Sequence, residues 1–196
     1  MSDISSNRPT LKIILVGDTP VGKTCLISSF FRQPFDFQSS PTVAPSYSCA
    51  EIPRTDGEIV CLQIWDTAGQ ERYHAVGKLF YRDSDVALVC YDPSSNQDLS
   101  NVTTWVESVR DEVPSVNIIL VLTKADLLKE DQLKEYTIKG ENLAKSLGAK
   151  HHFVTSSITN VGIKDVFMTC ANIVDISNLI EPQPIPEANE QKSGCC

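Results

Sequence analysis

No run of this 196-residue sequence comes near eighteen consecutive apolar residues, so no helix able to cross a bilayer is expected. The opening MSDISSNRPT is polar and lacks the apolar centre of a secretory leader, and Ser2 stands where N-myristoylation needs glycine. Positive charge is scarce. Seventeen Lys and Arg against twenty-five Asp and Glu leave a net charge of −8, which argues against broad electrostatic binding to nucleic acid or to an anionic membrane. Any phosphate site must therefore be local, built from backbone amides and one or two lysines. No Cys-x-x-C pair occurs. Cys25, Cys49, Cys61, Cys90 and Cys170 stand singly, with no histidine at metal-ligand spacing, and read as reduced thiols packed like small hydrophobes. No internal repeat is present.

What is there suits one domain with a core of its own: 41% of the residues are apolar. Short apolar runs alternate with longer amphipathic stretches. LKIILV (Leu11–Val16), VALVCY (Val86–Tyr91) and NIILVLT (Asn117–Thr123) suit strands buried on both faces, and HHFVTS a last strand. PSYSCAEI and IVCLQIW flank PRTDGE, whose Asp56-Gly57 pair signals a hairpin. TCLISSFF, Leu99–Val113, Lys134–Leu147 and Gly162–Ile176 carry helical spacing. The alternation predicts an α/β domain with a mostly parallel sheet and one antiparallel edge strand. From Glu181 the chain becomes EPQPIPEANEQKSGCC, an extended tail with no periodicity.

Three stretches carry chemistry. GDTPVGKT (Gly17–Thr24) has the Gly-x-x-x-x-Gly-Lys-Thr spacing of a phosphate loop between a strand and a helix. Asp18, Thr19, Pro20, Val21, Gly22, Lys23, Thr24 and Cys25 are its candidate nucleotide contacts, with Lys23 for the terminal phosphates and the Thr24 hydroxyl for Mg²⁺. IWDTAGQERY (Ile64–Tyr73) ends a strand with Asp66, a carboxylate able to hold Mg²⁺ through a water. Gly69 can turn its N–H to a γ-phosphate, and Gln70 can orient an attacking water. Alone, DTAG is also an ordinary strand-ending turn. TKAD (Thr123–Asp126) offers Asp126 to the N1–H and amino group of guanine, donors adenine lacks, and the Lys124 stem to the ring face. Alone, it is a commonplace solvated loop. A metabolic ATPase or kinase is disfavoured by TKAD and by the lack of a second substrate domain.

Together these residues resemble the Ras-like small GTPases, and more narrowly the Rab family, over roughly Thr10 to Leu179 and at the chain's ending. LQIWDTAGQERY, FYRDSDVALVCYD and SNQDLSNVTTW carry the Rab flavour. The resemblance implies a P-loop NTPase G domain, with a mostly parallel six-stranded sheet flanked by helices, over residues 10–180. A flexible segment at 1–9 and a hypervariable tail at 181–196 would flank it. It further places Phe35 against the guanine and Thr42 on Mg²⁺ and the γ-phosphate. Ser156, Ser157 and Ile158, within VTSSI, match the stretch whose backbone amide, here that of Ser157, meets the base. The function implied is a GTP/GDP switch with Mg²⁺ as cofactor. It hydrolyses GTP slowly, with Lys23 and Gln70 catalytic, and its γ-phosphate contacts order two loops. An exchange factor, a GTPase-activating protein, a GDP-dissociation inhibitor, an escort protein and effectors are implied as partners. So is vesicle traffic at the cytoplasmic face of an intracellular membrane, with cycling through the cytosol.

The sequence departs from that pattern in places. Pro20 has no N–H at a position where the family aims an amide at the β–γ bridging oxygen. Losing a donor to a developing oxyanion costs about 2.7–4 kcal/mol. The alternative is that the proline only rigidifies a compatible loop. Thr19 occupies a position where bulk in some relatives impairs assisted hydrolysis. Thr123 replaces the usual Asn, and Ile158 the usual Lys. SPTVAPSYS departs most, with Val43, Ala44, Pro45 and Ser46 where Rabs differ, so an unusual effector surface is expected. Cys195 and Cys196 suit two geranylgeranyl groups, one of which anchors only marginally. With Lys192 as the tail's one basic residue, both are required. His151 and His152 read as surface or edge residues, Trp65 and Tyr73 as partner-facing aromatics, and Trp105 as core.

Overall fold

In the computed structural model, residues 8–36, 42, 46–67, 79–95 and 99–177 are described. The chain runs β1 (Thr10–Val16), α1 (Lys23–Phe30), β2 (Ser46–Pro53), β3 (Ile59–Asp66), β4 (Val86–Tyr91), α2 (Ser100–Glu112), β5 (Asn117–Leu122), α3 (Glu130–Ser146), β6 (His151–Val154) and α4 (Ile163–Ile173). The six strands form one sheet in the order β2-β3-β1-β4-β5-β6. All neighbours are parallel except β2 and β3, the expected antiparallel edge.

The apolar runs are buried because both sheet faces are covered. Along β1, Ile13 and Leu15 face one core with Leu26 of α1 and Val166, Phe167 and Cys170 of α4, while Ile14 and Val16 face another with Val102, Trp105, Val106 and Val109 of α2. Phe30 stacks on Phe167 at 4.1 Å between ring centroids, closing α1 onto α4. The β2–β3 turn is where the Asp-Gly signal expects it: Arg54 N donates to Glu58 O at 2.8 Å, and Gly57 has φ 91°.

Two expectations shift. The third predicted helix starts at Glu130 rather than Lys134, because its first turn is polar and the apolar spacing begins only at Leu133; Gln132 Oε1 accepts from Lys129 N at 3.1 Å there. His152 stands on the edge strand β6, one of the two places expected for it, yet is not fully open to solvent. It is half-buried beneath α3, with Nε2 2.8 Å from the Tyr91 hydroxyl. Gly140 of α3 makes room for both groups, since a Cβ there would collide with the His152 ring and the Tyr91 oxygen.

Gly140→Ala should therefore destabilise the protein. The helix-propensity gain of about 1 kcal/mol is outweighed by overpacking of about 1–3 kcal/mol; a raised urea midpoint would contradict this. Burial holds the His152 imidazolium below its ordinary pKa of 6.5, with Glu141 offsetting part of that. The unfolded chain then binds the extra proton first, so stability is present above about pH 6.5 and declines as pH falls below it. Urea titrations across that range should show the decline in the wild type and a shallower one in His152→Gln.

Candidate functional site

The loops that follow the parallel strands gather at one end of the sheet, around β1, where chain order reverses between β3 and β4. Gly17 starts the first loop with φ 138°, and a Cβ would strike the Cys90 carbonyl, so only glycine passes. Gly22 closes it at φ 99° and hands over to α1. Inside the curve Lys23 Nζ donates to Gly17 O at 2.7 Å and to Asp18 O at 3.1 Å. Burial lowers the Lys23 pKa, and Cys90, Asp66 and Asp18 offset part of the shift. Pro20 is exposed on the loop and joined to Thr19 by a cis bond, and Val21 N donates to Asp18 O at 3.2 Å.

Asp66, at the end of β3, is buried, and its Oδ2 accepts from Thr24 Oγ1 at 2.7 Å and Thr42 Oγ1 at 3.4 Å. The two hydroxyls are 2.7 Å apart. The other carboxylate oxygen is buried with no hydrogen-bond partner among the described residues. Burial raises the Asp66 pKa, opposed by Thr24, Lys23 and Thr42. Three hard oxygen groups and an unsatisfied carboxylate oxygen are a donor set suited to a divalent cation.

At the other side, Thr123 Oγ1 lies 2.6 Å from Val21 O and 3.0 Å from Tyr91 O, donating to one at a time and tying the TKAD loop to the phosphate loop. Lys124, at φ 54°, pairs its ammonium with buried Asp92 at 2.8 Å, and its stem runs beside Gly22. Ser156 Oγ donates to Asp126 Oδ1, and Ala125 N to Thr155 O at 3.0 Å. Phe35, Cys25, Thr24 and Ser157 line one cavity of about 250 Å³. Ile158 is 47% exposed at the rim of a neighbouring one. Gly69, Gln70, Tyr73, Cys195 and Cys196 lie outside the described residues.

Sequence reading missed one group. The Asp18 carboxylate turns towards α2, accepting from Trp105 Nε1 and Asn101 Nδ2, each at 2.9 Å. The four-residue spacing of Asn101 and Trp105 marked one helix face. That the face meets the phosphate loop is a tertiary fact.

A parallel α/β sheet with a lysine-centred phosphate loop at its carboxyl ends defines a nucleotide-binding domain of the P-loop class. A family model described as "Ras family" matches residues 12–175. The chain is 38% identical over 176 residues to "GTP-binding protein RHO4" of Saccharomyces cerevisiae, covering 88% of this chain and 60% of that protein, so it spans less than two thirds of that relative. It is 32% identical over 187 residues to "Ras-like GTP-binding protein RHO1" of Entamoeba histolytica, with 95% and 84% covered. To "Ras-related protein RABE1d" of Arabidopsis thaliana it is 32% identical over 201 residues, with 95% and 92% covered. The chain belongs to the Ras family of small GTPases, enzymes that hydrolyse GTP.

Trp105→Phe keeps an aromatic ring in the core and removes the N–H that Asp18 accepts. A hydrogen bond lost from a buried carboxylate costs about 1.5–3 kcal/mol. The variant should show a lower urea midpoint and faster release of a fluorescent GDP analogue. Release at the wild-type rate would mean that α2 does not restrain the loop.

Proposed function

We propose that this chain is a Rab-type switch. It binds GTP and GDP with Mg²⁺, hydrolyses GTP slowly and serves vesicle traffic from the cytoplasmic face of an intracellular membrane, cycling with the cytosol. The observation that carries the nucleotide site is the convergence of the Thr24 and Thr42 hydroxyls on the Asp66 carboxylate, 2.7 Å and 3.4 Å from one oxygen. These are the residues that would hold magnesium, whose charge offsets that of the β- and γ-phosphates when it is bound. Lys23 exchanges its carbonyl partners for phosphate oxygens and places its ammonium where negative charge grows. Asp126, oriented by Ser156, retains acceptor capacity for guanine, and Phe35 and the Ser157 amide complete the base site. Thr123 keeps its loop tied to Val21 with a hydroxyl in place of the family's amide. Gln70 is assigned the attacking water and Gly69 the γ-phosphate, on sequence alone.

Support for the Rab-type reading comes from the quoted segments and from relatives such as the Arabidopsis protein named for Rab. The outward face of the hairpin also offers partners an aromatic row: Tyr47, 61% exposed, stacks on Trp65 at 5.2 Å, and Phe80 is 5.9 Å from Trp65. Effectors, an exchange factor, a GTPase-activating protein, a GDP-dissociation inhibitor and an escort protein are the partners such a switch takes. Two prenyl groups on Cys195 and Cys196 supply the anchor; no described helix is long and apolar enough to cross a membrane.

Pro20 favours a second reading, a guanine-nucleotide scaffold that scarcely turns over, because the loop lacks one amide donor. Single-turnover GTP hydrolysis by the wild type and Pro20→Gly separates the two. Unassisted small GTPases run on the order of 10⁻⁴ per second. Restoring the amide should accelerate hydrolysis by up to about 10²–10³. Matching rates at an ordinary value would leave the switch and remove Pro20 from the mechanism. A wild type with no turnover would favour the scaffold, and ATP binding as tight as GTP would overturn the guanine site.

A further inference from the structure

The hairpin carries two thiols on its outward face that nucleotide chemistry does not use. Cys49 lies opposite Gln63 and Cys61 opposite Glu51, so the two cysteines are diagonal neighbours on the same face. Val60, Leu62 and Ile64 alternate with Cys61 and fill the core on the other face. Cys49 is exposed and Cys61 partly exposed. In a flat ribbon such a diagonal is about 7–8 Å between Cα atoms, just beyond the usual span of a disulfide. The twist of an edge hairpin shortens one diagonal, and Cys49 stands near enough to Cys61 to help raise the pKa of its thiol. Cys90 and Cys170, by contrast, are fully enclosed in the core.

We propose that Cys49 and Cys61 form a redox-modification site, closing a reversible intrachain disulfide in response to hydroperoxides. The Cys49 thiolate attacks the terminal peroxide oxygen; the O–O bond breaks, leaving a sulfenic acid on Cys49 and an alcohol, or water from hydrogen peroxide. The Cys61 sulfur then attacks the Cys49 sulfur, the S–S bond forms and the sulfenic oxygen leaves as water. Overall two thiols and one hydroperoxide become one disulfide, one alcohol and one water, and a small dithiol reverses the change. The roles follow exposure. Cys49 meets the oxidant, while burial, Cys49 itself and Glu51 raise the Cys61 thiol, with Arg8 opposing, so Cys61 resolves rather than initiates. The bridge would cross-link the two strands that carry Tyr47 and Trp65 on the same face.

The full-length, reduced, GDP-loaded protein should be treated with hydrogen peroxide, alkylated and mapped without reduction. A peptide pair joined through Cys49 and Cys61, released by dithiothreitol, is expected. In Cys61→Ser, dimedone should label Cys49 several-fold more than in the wild type, because the sulfenic acid has no resolving partner. Cys61 remaining reduced in the wild type while Cys49 is oxidised, or joined to Cys195 or Cys196, would overturn the proposal. So would equal dimedone labelling in the two proteins.

Discussion

A lysine ammonium enclosed by a loop needs negative charge, and the site is arranged around that need. Lys23 is 6% exposed and bound to the Gly17 and Asp18 carbonyls, so burial costs its charged form hydration that two neutral acceptors only partly replace. A polyphosphate restores the balance. The loop must stay open to admit one, and its curve rests on glycine at position 17, where the Cys90 carbonyl leaves no room for a side chain. One carboxylate of the loop, Asp18, faces away from the cavity and is held by α2. A helix on the sheet's flank is thereby tied to the phosphate site.

The hairpin extends the same logic outward. Thr42 lies ahead of β2, Asp66 ends β3, and the two meet at Thr24. Anything that changes the oxygens around Asp66 therefore acts on both strands of one ribbon. At the far end the ribbon is clamped: Arg54 reaches the Ala171 and Val174 carbonyls at the end of α4, and Thr55 N and Oγ1 donate to Asn172 Oδ1 at 2.9 and 2.8 Å. A ribbon tied at its far end, with its near end resting on the oxygens around Asp66, suits the proposed switch, whose output would be a change of surface.

Much of this was legible in the letters. Parallel strands covered on both faces need apolar side chains in both directions, so Val86–Tyr91 and Asn117–Leu122 read as strands from composition. Phosphate loops constrain glycine and lysine at fixed spacing, and Asp-Gly marks a tight turn, so these too show in order along the chain. The start of α3 did not, because a polar first turn carries no apolar period. Nor did the place of His152, since nothing local to an edge strand reveals that Gly140 of a distant helix will cover it.

By itself, then, the sequence determined the class of fold, the phosphate loop, the two carboxylates, Asp66 and Asp126, proposed for the metal and the base, and the prolines and tail that mark its departures. These depend on backbone constraints and side-chain chemistry that act within a few residues. Only the tertiary structure decided which groups complete one another: Trp105 with Asp18, Thr123 with Val21, and Lys124 with Asp92. The first two of those pairs lie 87 and 102 residues apart in sequence, and a hydrogen bond requires its partners within about 3 Å, a proximity that only the packing of the sheet and its helices creates.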